Sequence, residues 1–134
     1  MRFPNRRQHA EARRRAPLLL IALALVLIIP GSASAASFTA HLQAPNHSPI
    51  ANKPWPITVT ATRGGAKLSG SVRYQFVYAG QVVASRPGHS IIHGVCHDSL
   101  KFTSDSIGIQ LTLRVIVTTK FGTVDIPWAV KTRK

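Results

Sequence analysis

The chain has 134 residues, 17 of them Lys or Arg against 4 Asp or Glu, for a net charge of +13, with 45% hydrophobic residues and one cysteine. So few carboxylates leave little for glycoside hydrolysis, which sets two carboxyl groups at a defined separation, and one cysteine excludes an intrachain disulfide framework. Charge of this size speaks to solubility and to anionic partners, not to fold.

The first element is a leader. Arg2, Arg6, Arg7, Arg13, Arg14 and Arg15 stand against Glu11, and "APLLLIALALVLIIP" follows as an apolar run between Pro17 and Pro30. That run is short of the roughly 20 residues a spanning helix needs. With the small-residue exit "GSASAAS" it reads as a secretory signal peptide over residues 1–35, cut after Ala35 in the A-x-A pattern of Ala33 and Ala35. An uncleaved anchor is the alternative, because a bilayer can thin around a short span. Arg14-Arg15 lies in a poor twin-arginine context, and no cysteine near the cut can receive a lipid. The expected location is secreted or extracytoplasmic, with membrane attachment only through an uncleaved leader. Residues 36–134 then form one domain of 99 residues, with eleven Lys or Arg, three Asp and a net charge of +8. That length holds a single two-layer core. Outside a cell, its basic surface meets anionic envelope polymers, lipid head groups or another envelope protein rather than nucleic acid.

Beyond the leader, period-two alternation dominates. "PITVTAT" places Ile57, Val59 and Ala61 on one face and Thr58, Thr60 and Thr62 on the other. "SVRYQFVY" sets Val72, Tyr74, Phe76 and Tyr78 against Arg73 and Gln75. "LTLRVIVTT" sets Leu111, Leu113, Val115 and Val117 against Thr112, Arg114 and Thr118, and "VDIPWAVK" sets Val124, Ile126, Trp128 and Val130 against Asp125 and Lys131. Each pattern predicts a strand with one buried face. Turn residues separate them: Pro45-Asn46 to Pro49, Gly64-Gly65, Ala79-Gly80, Pro87-Gly88 and Phe121-Gly122. "YAGQVV" reads as a tight hairpin between Tyr78 and Val82. With "FTAHLQ" and "SLKF" the tally is about seven strands, spaced as in an antiparallel sandwich. Pro127 assigns the last strand to an edge or a bulge.

Together, "HSPIANKPWPITVTAT", "LSGSVRYQFVYAGQVV", "SLKF" and "LTLRVIVTTKFGTVDIPWAVK" resemble the small secreted Ig-like β-sandwich domains of actinobacteria, proteins of unknown function. The resemblance covers nearly all of the region after the leader. It implies an Ig-like fold and no particular activity, since such sandwiches host many roles. The chain departs from antibody-type domains in having no cysteine pair across the sheets.

"HSIIHGVCHD", residues 89–98, concentrates the reactive side chains. As one extended strand it would spread His89, His93 and His97 along one face, about 13 Å between neighbours at about 3.3 Å per residue. No single ion bridges such gaps, and Cys96 would point the other way. A turn at His93-Gly94 changes this. Ile92 then faces Val95, and His89, Cys96 and Asp98 share a face as a partial metal site or a Cys–His–Asp arrangement, to which His41 or His47 could add a ligand. Against both stands a plainer reading: a loop entering a strand, with Cys96, Leu100 and Phe102 turned to the core and His93 and His97 in solvent. Nothing marks an oxyanion donor or a stabilised thiolate.

No G-x-S-x-G, H-E-x-x-H or phosphate-cradling glycine loop occurs, and only Asp98, Asp105 and Asp125 follow the leader. The expected protein is not an enzyme and takes no cofactor. Arg63, Lys67, Arg73, Arg114 and Lys131, with the tail to Lys134, are the candidate contacts to an anionic partner. The competing expectation is extracytoplasmic metal binding through His89, Cys96 and Asp98. Trp128 is expected in the core, and Trp55, between two prolines, is open between core and a carbohydrate platform.

Overall fold

The computed structural model describes residues 37–134; the signal peptide expected over 1–35 lies outside them. The described chain forms β1 (Thr39–Gln43), β2 (Pro54–Arg63), β3 (Ala66–Lys67), β4 (Gly70–Tyr78), β5 (Gln81–Ile91), β6 (Val95–Lys101), β7 (Gln110–Thr119) and β8 (Gly122–Lys131), with a 3-10 turn at Ser104–Ser106. In one sheet β1 lies along one edge of β2, while β6 and the two-residue β3 share the other. The second sheet runs β5-β4-β7-β8, and every strand pair in both sheets is antiparallel. The result is an all-β antiparallel sandwich of Ig-like type, with β3 as the short addition to the seven expected strands.

The alternation explains the core. Trp55, Ile57, Val59 and Ala61 of β2 and Cys96 and Leu100 of β6 are buried, and they meet Val72 and Tyr74 of β4 and Leu111, Leu113, Val115 and Val117 of β7. Threonines and arginines at the intervening positions face outward, so polarity and pleat agree along these strands. Trp55 is only 4% exposed and packs edge-on against Phe102, which decides its role as core. Trp128 is half-buried against the core rather than enclosed by it.

Two expectations change. Pro87-Gly88 is not a turn but the middle of β5, opposite Arg73. A Cβ on Gly88 would stand 2.8 Å from the Tyr74 ring and 2.8 Å from the Val72 carbonyl, so glycine here makes room for an aromatic ring rather than reversing the chain. Tyr78, expected to be buried with Tyr74, is 51% exposed. The register shifts between Phe76 and Val77, and the strand ends there in the hairpin. That hairpin joins Tyr78 to Gln81 through Ala79 and Gly80, whose φ angles of 47° and 79° suit a two-residue loop of the twisted type.

Candidate functional site

Between β5 and β6 the chain turns at His93 and Gly94, with φ of 50° and 82°. Ile92 and Val95 exchange backbone hydrogen bonds at 3.0 and 3.2 Å across this turn. Beyond it the two strands part: β5 pairs with β4 in one sheet and β6 with β2 in the other. The turn is therefore a corner of the sandwich. Cys96, Asp98, Leu100 and Phe102 all face the interior, and His93 and His97 face solvent. His89 is exposed, yet its Nδ1 lies 3.3 Å from Oδ1 of Asp98, whose side chain is 3% exposed.

The interior end of this corner is polar. Asp98 Oδ1 accepts the backbone N–H of Ser99 at 2.8 Å, while Oδ2 is buried without a hydrogen bond of good geometry. The Tyr74 hydroxyl, also buried, lies beside that carboxylate. Burial first, and then the negative charge and acceptor oxygen of Asp98, push the Tyr74 phenol far above its ordinary range. Burial and the same carboxylate raise the Cys96 thiol, whose S–H points at the His89 carbonyl at 3.6 Å. Its partner is thus a backbone carbonyl, not an imidazole, and the neutral thiol is a poor nucleophile and a poor ligand. Among the described residues no group of three or more His, Cys, Asp or Glu is placed to hold a metal ion. His41 lies on β1 opposite Thr60, and His47 stacks on Trp128, so neither joins His89.

The candidate cations fall in two regions. Arg73 and Arg114 are diagonal neighbours on the outer face of the β5-β4-β7-β8 sheet, because Arg73 faces Ile116 and Arg114 faces Gln75 across the β4–β7 ladder. Arg114 donates to Gln75 Oε1 at 3.2 Å, and Lys131 lies on the same face of β8 opposite Gln110. Arg63 belongs to one end of the sandwich, where its guanidinium sits 4.0 Å above the Phe121 ring and Lys120 Nζ 5.1 Å from it. Lys67 is exposed beside Gly94 at that end. The basic tail is not free: Arg133 donates its backbone N–H to Pro49 and accepts from Ala51. Among the described residues the His89–Asp98 contact is the only one that brings a basic side-chain nitrogen within 4 Å of a carboxylate, so none of the eleven Lys and Arg there touches one.

Composition did not single out two features. Arg86 projects from β5 toward Tyr74 and donates to the Ser99 carbonyl at 3.2 Å, covering the polar corner; its segment reads as a turn in sequence. An apolar groove of about 410 Å³ opens at the hairpin end between Phe76, Val83, Phe102, Ile109 and Leu111, with Lys101 and Asp105 among the residues lining it. Its signal was Val83, 57% exposed, just after the hairpin turn.

No family model and no curated protein matches this chain. Among solved structures it is similar to a crystal structure of an engineered protein, with a TM-score of 0.54 and 22% identity over 72% of this chain. The match spans 20% of that structure's length. At this identity the likeness concerns the fold alone, and it agrees with a β-sandwich.

Proposed function

We propose that the domain is a secreted, non-catalytic binding module of the cell envelope that holds an anionic polymer or an anionic head-group surface. One observation carries this reading: cations spread over the outer sheet face and one end of the sandwich, and among the described residues none of them lies within 4 Å of a carboxylate oxygen. Unpaired surface charge of one sign favours an extended partner of the opposite sign. The resemblance to small secreted Ig-like domains and the leader-like N-terminus support an extracytoplasmic site of action. The neutral, inward thiol and the scarcity of carboxylates support a role without catalysis.

Retention of the protein on immobilised polyglycerol phosphate, followed as sodium chloride rises, tests the reading. Binding should weaken steeply with salt, since the Debye length shrinks from about 10 Å at 0.1 M to about 3 Å at 1 M. The double variant Arg73→Gln, Arg114→Gln should elute at lower salt. Salt-independent retention, or none at low salt, would count against it.

A further inference from the structure

The free edge of β5 has both the backbone and the side chains of a pairing surface. Gln81–Ile91 pairs with β4 alone, so one edge of the strand has no partner among the described residues. Natural edges are blunted by charge, proline or a covering loop. The second half of β5 has Arg86 and Pro87, but Gln81, Val82, Val83, Ala84 and Ser85 are exposed, uncharged and free of proline. The apolar groove lies directly beside this stretch, with Val83 and Ala84 forming part of its wall.

We infer that this edge pairs with the same edge of a second copy, β5 to β5 and antiparallel, to give a continuous eight-stranded sheet. The choice of a second copy rests on charge and symmetry. Residues 78–85 are "YAGQVVAS", a neutral strip in a domain of net charge +8, so two copies can meet there without placing cation on cation. Antiparallel edges related by a two-fold axis normal to the sheet keep the inner faces on the same side. The two grooves then adjoin, and Val83 of each copy closes the flank of the other. The inference is independent of polyanion binding, and it gives that function a doubled cationic surface.

Sedimentation of the purified protein, with its N-terminus established by mass spectrometry, provides the test. A monomer–dimer equilibrium is expected, and it should tighten as salt screens the repulsion between the remaining charges. Val83→Lys should weaken it by at least about tenfold through like charges at the two-fold, with the β-sheet circular dichroism and melting temperature unchanged. Val82→Lys gives the same reading should the first variant fail to fold. An equimolar mixture of Val83→Lys and Val83→Glu should restore a heterodimer. A strictly monomeric protein at high concentration and high salt, or a dimer indifferent to these substitutions, would overturn the inference.

Discussion

The two edges of the β5-β4-β7-β8 sheet share a backbone and differ in how they end. At β8 the outer edge is occupied: His47 accepts the Lys131 N–H at 2.9 Å, and its ring Nδ1–H donates to the Ala129 carbonyl at 2.6 Å. Because a carbonyl only accepts, this contact fixes the His47 tautomer. Pro127 lies two and four residues before these positions, so its nitrogen faces the same outer side, where no ladder donor is required. The His47 ring, stacked 4.3 Å from Trp128, closes the flank. At Gln81–Ser85 of β5 no such loop, proline or charge is present. The difference teaches that an edge's fate is set by what the connecting loops bring to it, since both strands are sound partners for their inner neighbours.

Trp128→Ala attacks the covered edge most directly. It removes the ring that joins His47 to the core and should cost about 3 kcal/mol, at the lower end for a large aromatic because Trp128 is half-buried. Urea unfolding measures it, and faster exchange of the Lys131 amide would show the edge opening.

At the bare edge, Gly88→Ala forces a methyl against the Val72 carbonyl and the Tyr74 ring at 2.8 Å. Overpacking should destabilise by about 2 kcal/mol. An unchanged melting temperature would show that β5 yields more readily than β8.

The polar corner under β5 predicts alkaline sensitivity. The Tyr74 phenol and the Cys96 thiol are both raised in the folded state, so each favours the fold below its unfolded value and ceases to do so as pH rises. Stability should therefore begin to fall above about pH 8.5 and fall more steeply above about pH 10. The Tyr74 share is about 1.4 kcal/mol per pH unit while the folded phenol keeps its proton. Tyr74→Phe should flatten the upper part of a profile of urea midpoint against pH, and an unaltered slope would contradict the burial argument.

The smallest effect belongs to His47→Ala. It loses the stack and one side-chain hydrogen bond but keeps the backbone contact to Lys131, for a loss of about 1 kcal/mol. A loss as large as that of Trp128→Ala would mean that the loop, rather than the tryptophan, holds the edge.

Legibility followed burial. β2, β4, β7 and β8 each turn one face to the core, and period-two alternation announced them, failing at Tyr78 where the register of β4 shifts. β5 is exposed on both faces from Gln81 to Pro87, so no alternation marks it, and its Pro-Gly pair imitates a turn. The turn at His93-Gly94 was one of two readings of residues 89–98; the other, a loop entering a strand, fails because β5 runs on to Ile91 and turns directly into β6. That its two strands leave for different sheets was not readable, since this depends on β2 and β4 claiming them.

Sequence by itself determined that β2, β4, β7 and β8 form strands that turn alternate side chains inward, because a period of two admits no other way to hide those valines, leucines and isoleucines from water. It also determined the excess of cations over carboxylates. Only tertiary structure decided which edge is covered, that Asp98 is buried beside Tyr74, and that Cys96 meets a carbonyl rather than a histidine ring. The covered edge and the Asp98–Tyr74 contact join residues far apart in the chain, and local pattern contains no record of which distant segment arrives; the Cys96 contact is local but depends on the corner at which β5 and β6 part.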